Sequence, residues 1–246
     1  MKERIQKVLA QQGYGSRRGI ERQIREGLIT VNGQVAILGQ PVDHRDTIVI
    51  DGKILHLTAP SKEARLPRLL IYYKPEGEVC TRSDPEGRPT VFHHLPTLRS
   101  SRWVAVGRLD INTSGLLLFT NDGKLANAMM HPQAELEREY AVRVLGTVRP
   151  AQLEALQAGV ELEDGKGAFT KIYDKGGKGA NHWYHVIVKE GRNRLVRRLW
   201  ESQGVKVSRL MRVRYGPFHL KRGMVLGKFY EVPPQEIKAF MLSLTV

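Results

Sequence analysis

Two ionisable side chains, Arg108 and Asp110, stand where WVAVGRLDINTSGLLLFTNDG (103–123) leaves one apolar run, Trp103 to Val106, and heads for a second, Leu116 to Phe119. In an extended strand residues two apart share a face, so the spacing predicts that these two pair. Charges beside an apolar core are costly unless paired. The pair therefore has two readings: a structural ion pair at a sheet edge, or a carboxylate held ready for chemistry. A carboxylate can add covalently to a substrate or take a proton from it.

Other chemistries find no residues. Gly159 and Gly165 are one residue too far apart for a phosphate loop, and Gly167 stands where Ser or Thr would hold magnesium. No Gly-x-Gly-x-x-Gly follows a strand, and no Gly-x-Ser-x-Gly elbow is present. The single cysteine, Cys80, excludes an intramolecular disulfide, a Cys-based zinc cage and the zinc deaminase signature. His93 and His94 are adjacent and His131 is distant, so they do not converge on a metal. The sequence predicts no metal and no cofactor. Asp110, with basic and aromatic residues around it, is what remains.

The elements that must position Asp110 read as strands with interspersed helices. Leu69 to Tyr73 is a strand stopped by a Lys74–Gly77 turn. Gly123 to His131 reads as a helix. Glu135 to Leu145 reads as a strand with Tyr140, Val142 and Val144 on one face. Pro150 opens a helix, and His182 to Gly191 alternates as a strand. Arg194 to Ser202 is a short helix ended by Gly204, Val205 to Tyr215 returns as a strand, and Pro234 starts a last helix. This pattern predicts an α+β fold, a mixed or antiparallel sheet with flanking helices.

Charge points to the partner. The 246 residues carry 39 Lys and Arg against 25 Asp and Glu, a net +14, the surplus of a chain that meets a polyanion. Glu190 to Arg222 alone holds ten Lys or Arg against Glu190 and Glu201, or +8. Its charges alternate with Leu195, Val196, Leu199, Val205, Val207 and Leu210, the texture of ordered structure. No apolar run is long enough to span a bilayer, and MKERIQKVLAQQ lacks a signal-peptide core. The reading is a cytoplasmic monomer with no membrane partner.

Ahead of this lies a smaller module. Glu3 to Gln12 has helical spacing, and Ser16 can cap a second helix whose open face carries Arg17, Arg18, Arg22 and Arg25. Asn32-Gly33 and Asp51-Gly52 each sit between short apolar runs, as hairpin turns do. The stretch GSRRGIERQIREGLITVNG resembles the alpha-L RNA-binding domain first known from a ribosomal protein. The expected division is residues 1–59 for this module, 60–68 for a polar, proline-bracketed linker and 69–246 for the catalytic domain.

Four ordered stretches carry a further resemblance. GRLDINTSGLLLFTNDG (107–123), EREYAV (137–142) and EGRNRLVRRLWESQGVKVSRLMRVRYGPF (190–218) are similar to the three signatures of the RsuA-type pseudouridine synthases. YYKPEGEVCTRSDPEGRPTVF (72–92) is most similar to the RluB branch, which modifies large-subunit ribosomal RNA. Leu195 departs from the polar residue expected at its position.

The resemblance implies isomerisation of uridine to pseudouridine in ribosomal RNA, with the base flipped from the stack. It makes Asp110 the essential carboxylate, whether toward sugar, base or a ribose proton. It implies that Arg108 pairs with Asp110 at rest and helps flipping, that Tyr140 stacks on uracil, and that Arg197 also pairs with Asp110. Leu109 and Val196 would line the substrate pocket. Arg192, Asn193, Arg194 and Arg198, with Arg17, Arg18 and Arg22, would hold RNA, mostly at phosphate. Two alternatives stay open: a non-catalytic RNA-binding assembly factor, and a synthase of small-subunit RNA.

Overall fold

A computed structural model of the chain describes residues 2–55, 57, 67–98 and 101–244. Two compact units result. One holds Met1–Pro67 with Pro96–Val104 and Asn121–Gly123, the other Arg68–Leu95, Ala105–Thr120 and Lys124–Val246. The expected linker 60–68 lies outside the described residues, save Pro67 and Arg68.

In the first unit β1 (Glu3–Arg4) leads into α1 (Ile5–Gln11) and α2 (Arg17–Arg25). The Ser16 hydroxyl accepts the Gly19 N–H at 2.9 Å and caps α2. Helix α2 buries Ile20 and Ile24 and leaves Arg17, Arg18, Arg22 and Arg25 exposed. Strands β2 (Ile29–Val31), β3 (Gln34–Val35), β4 (Pro41–Val42), β5 (Ile48–Ile50) and β6 (Lys53–Leu55) follow. They form a sheet in the order β3-β2-β5-β6, with β4 paired to β1. Asn32 (φ 53°), Gly33 (φ 82°), Asp51 (φ 48°) and Gly52 (φ 76°) all take positive φ, as the tight turns matching strand twist demand.

The second unit is built on a mixed sheet, nine-stranded among the described residues. Its elements in chain order are β7 (Leu69–Lys74), β8 (Val104–Val106), β9 (Ser114–Thr120), α3 (Gly123–Met130), β10 (Arg138–Leu145), α4 (Pro150–Ala158), β11 (Val160–Leu162) and β12 (Gly165–Gly167). Then come β13 (Lys171–Lys178), β14 (Asn181–Val188), α5 (Leu195–Ser202), β15 (Lys206–Tyr215), β16 (Phe218–His219), β17 (Phe229–Glu231) and α6 (Pro234–Ser243). The sheet order is β13-β14-β10-β15-β9-β7-β17, with β16 beside β15 and β8 beside β9; β11 and β12 form a separate hairpin.

All neighbours on that path run antiparallel except β15 and β9, which meet in parallel at Met211–Ser114 and Arg212–Gly115. Every residue of β9 is buried, as expected of a central strand covered on both faces. Gly115 makes this junction possible. At φ 111°, a Cβ there would overlap the Arg212 backbone, so only glycine fits. Helix α5 lays Leu195, Val196, Leu199 and Trp200 onto Val142, Val144, Tyr184 and Val186, forming the core beneath the site. Leu195, the departure from the expected polar residue, is 3% exposed and belongs to that core.

One expectation fails here. Gly107 to Thr113 is a loop, not a continuation of β8. Gly107 turns the chain at φ 75°, and residues 108–110 beyond it lie in no strand, so the rule that residues two apart share a face does not apply to them.

Candidate active site

An open cleft of about 1170 Å³ lies on the second unit, and Arg108, Leu109, Asp110, Tyr140, Leu195, Val196, Leu210 and Arg212 are among the residues that line it. Loop 107–113 carries the acid. The Thr113 N–H donates to the Asp110 carbonyl at 3.0 Å, closing a turn, and the Gly77 N–H donates to the Ile111 carbonyl at 2.8 Å. Leu109, 6% exposed, is wedged beside Cys80, whose thiol donates to its carbonyl at 3.2 Å. Burial pushes that thiol up from its ordinary value.

The main support of the loop is Lys74, at the end of β7 and 0% exposed. Its Nζ donates to the carbonyls of Pro75 at 2.9 Å, Asp110 at 3.1 Å and Thr113 at 2.9 Å. All three protons of the ammonium are thus placed, which lets a cation stay in the core. Burial lowers its pKa, while nearby groups including Asp110 act the other way. The lysine holds the backbone of the acid-bearing loop from below and leaves the side chain of Asp110 alone.

The Asp110 carboxylate makes no hydrogen bond or ion pair among the described residues, and it is only partly buried. The expected pairing with Arg108 is absent. Arg108 is exposed at the rim of the cleft and also unpaired among the described residues. The expected pairing with Arg197 is not made either. Arg197, 7% exposed, donates to the carbonyls of Asn112 at 2.8 Å and Val207 at 3.2 Å. Burial lowers its pKa and Arg194 adds to this, while the charge of Asp110 opposes both. Arg197 is therefore a neighbouring cation that ties α5 to the acid-bearing loop through its backbone.

Tyr140 faces the cleft from β10. A register shift between Glu139 and Tyr140 re-aims the strand there, as β-bulges beside functional sites do. Its ring packs against the core beneath, and its hydroxyl makes no hydrogen bond among the described residues. Val196, 5% exposed, supplies apolar floor from the first turn of α5.

The basic residues divide. Arg192, Asn193 and Arg194 line the cleft; Arg198 does not. Arg192 and Arg198 are spent internally: both bind Asp164, and Arg192 also clamps Glu190 through two hydrogen bonds. Arg17, Arg18 and Arg22 belong to the other unit.

Two buried cations of the site were missed by sequence reasoning besides Lys74. Arg138 lies over the Tyr215 ring at 4.8 Å and donates to the Tyr215 hydroxyl at 3.0 Å and the Lys189 carbonyl at 2.6 Å. Arg212 donates through Nε to the Leu116 carbonyl at 2.8 Å, joining β15 to β9. A signal did exist for Lys74: strand alternation puts it on the face of Leu70 and Tyr72, both 0% exposed.

Known proteins are similar to both parts of this chain. Residues 68–202 match the family model of RNA pseudouridylate synthase, and residues 3–48 match the S4 domain. "Ribosomal large subunit pseudouridine synthase B" of Pseudomonas aeruginosa is 58% identical over 96% of this chain and 61% of its own length. The proteins of the same name from Haemophilus influenzae and Escherichia coli K12 are 57% and 56% identical, over 96% and 94% of this chain and 66% and 80% of their own lengths. The chain thus spans under two thirds of the first two of these relatives. A solved structure described as a pseudouridylate synthase shares the fold, with a TM-score of 0.65 at 23% identity over 96% of this chain and 98% of that one. With an S4 domain ahead of its mixed-sheet unit, the chain belongs to the RNA pseudouridylate synthase family.

Proposed function

We propose that this chain isomerises uridine to pseudouridine in ribosomal RNA, and in large-subunit ribosomal RNA in particular. The observation that carries the reading is Asp110: a carboxylate unpaired among the described residues, fixed through its own backbone by Lys74, in a cleft shared with Tyr140. Large-subunit RNA rests on the names of relatives 56–58% identical to this chain.

The reaction breaks the bond between ribose and a uracil nitrogen, turns the base and joins ribose to a uracil carbon. Atoms balance within one nucleotide, so neither reductant nor second substrate enters. The uridine is flipped out at a cost of about a few kcal/mol. Tyr140 stacks on the extruded base, Val196 and Leu109 supply apolar walls, and Asp110 is the reacting carboxylate. Arg108, at the rim, enters the space the base vacates. Residues 1–59 act as the RNA-holding module and 69–246 as the catalytic one. The protein works as a cytoplasmic monomer.

Removal of the gene followed by pseudouridine mapping of ribosomal RNA tests this. Loss of a large-subunit pseudouridine, restored by the wild-type gene and not by Asp110→Asn, is the expected result. Retention of every site would sink the proposal and leave an RNA-binding role.

A further inference from the structure

Seven cations line the cleft, and their partners separate them. Arg138 is held by carbonyls and a tyrosine hydroxyl, Arg212 by the Leu116 carbonyl. Lys189 pairs with Glu135 at 2.6 Å, Arg194 approaches Glu201 at 3.8 Å, and Arg192 is tied to Glu190 and Asp164. Of these seven, Arg108 and Lys166 alone make neither an ion pair nor a side-chain hydrogen bond among the described residues.

Lys166 sits on the β11–β12 hairpin, and that hairpin is tightly secured. Asp164, in its turn, accepts two hydrogen bonds from Arg198, both 2.8 Å, and one from Arg192 at 2.9 Å. Arg192 also donates to the carbonyls of Gly165 at 2.9 Å and Lys166 at 2.9 Å. Close packing adds to the polar clamp. A Cβ on Gly167 would come within 2.9 Å of Arg192 Nη2 and 3.2 Å of Leu195 Cδ1. A Cβ on Gly159 would overlap Cε of Lys166, so the lysine stem lies over that glycine.

We propose that Lys166 is an RNA-backbone contact of this cleft, and that Arg192 and Arg198 are positioning residues that hold its hairpin in place through Asp164. The proposal rests on the RNA-synthase reading above and adds to it a residue outside the basic stretch. Glu161 stands opposite Lys166 across the hairpin, yet the two form no ion pair among the described residues, so the exposed ammonium keeps its charge for phosphate. The two arginines, whose charges the Asp164 and Glu190 carboxylates already answer, offer phosphate far less.

Filter binding of the full chain to an unmodified transcript of large-subunit ribosomal RNA, over a range of salt, tests this. Lys166→Gln is expected to weaken binding roughly fivefold and to reduce the slope of log affinity against log salt by about one. Lys166→Arg, which keeps the charge, is expected to restore both. The sign for Asp164→Ala decides between the two roles. If Asp164 merely competes with RNA for Arg192 and Arg198, its removal frees two cations and binding tightens. If it positions Lys166, binding weakens although a negative charge has gone, and adding Lys166→Gln costs little more. Tighter binding by Asp164→Ala, or an unchanged slope for Lys166→Gln, overturns the proposal. A wild-type protein that binds the transcript but forms no pseudouridine would sink the enzyme reading and leave these outcomes readable.

Discussion

Lys74 spends all three of its protons on main-chain carbonyls, two of them in the loop that carries Asp110. Replacement by Met keeps the stem but removes the donor. The Asp110 carbonyl retains the Thr113 N–H, while those of Pro75 and Thr113 lose this partner, at about 1–3 kcal/mol for each one left buried and unsatisfied. Lys74→Met is therefore expected to lower the urea midpoint and to reduce pseudouridine formation more than RNA affinity. Wild-type turnover in that variant would show that the loop holds itself. Tyr140 makes the opposite kind of contribution, since its hydroxyl is unbonded among the described residues. Tyr140→Phe should keep single-turnover rates near wild type. Tyr140→Ala should lose the stacking of a base, about 1–3 kcal/mol, or roughly five- to 150-fold in rate. Sequence reasoning singled out Asp110 by its type and Tyr140 through the resemblance of EREYAV, and both line the cleft. It went astray on Arg108 by treating 108–110 as strand, which the turn at Gly107 breaks. Lys74, Arg138 and Arg212 stayed hidden because backbone carbonyls and a tyrosine hydroxyl hold them, and no pattern of charges records such partners.

At the scale of elements, the seam between β9 and β15 carries the site. It joins the acid-bearing loop to the strand of Arg212, and Gly115 is the residue that lets the backbones meet. Gly115→Ala combines a strained φ with overlap against a neighbouring strand, each costing about 1–3 kcal/mol. Thermal unfolding should report a fall of several degrees or insoluble protein, and an unchanged melting temperature would refute the close approach. The β11–β12 hairpin depends on charge instead. Hydrogen bonds from Arg198 and the charges of Arg192 and Arg198 hold the Asp164 carboxyl below the usual carboxylate range. Its contribution to stability is thus present above the pKa of an unfolded aspartate, about 3.9, and is lost as pH falls through the lower folded value. Carboxyl NMR should place the Asp164 midpoint below that of an unpaired aspartate, and Arg198→Met should return it toward that value. An ordinary midpoint in the wild type would mean that the clamp is open in solution. Strands with strong alternation, such as β10 and β14, were legible in the sequence. The hairpin and β13 were not, because Gly159–Lys166 and Lys171–Lys178 are glycine-rich and charged and bury few side chains.

For the whole molecule, a cleft, the one carboxylate of its lining that is unpaired among the described residues and a net charge of +14 meet in a chain of the RNA pseudouridylate synthase family. The α+β class was readable from the pattern of strands and helices, and the family from four ordered motifs, whose spacing the sheet order explains. β9, β10 and β15 are distant in sequence, yet β15 lies directly between the other two. Both the stretch bearing Asp110 and the stretch bearing Tyr140 thus border the strand of Arg212. Under the proposed function the surplus charge holds RNA regardless of sequence, whereas the chemistry is assigned to a single side chain. Binding and turnover should therefore come apart at that residue. The most direct measurement is single-turnover pseudouridine formation on unmodified large-subunit ribosomal RNA, with RNA affinity determined on the same preparations, for wild type and Asp110→Asn. The account predicts affinity within a few-fold of wild type and no detectable pseudouridine from the variant. Pseudouridine made by Asp110→Asn at the wild-type rate would contradict it.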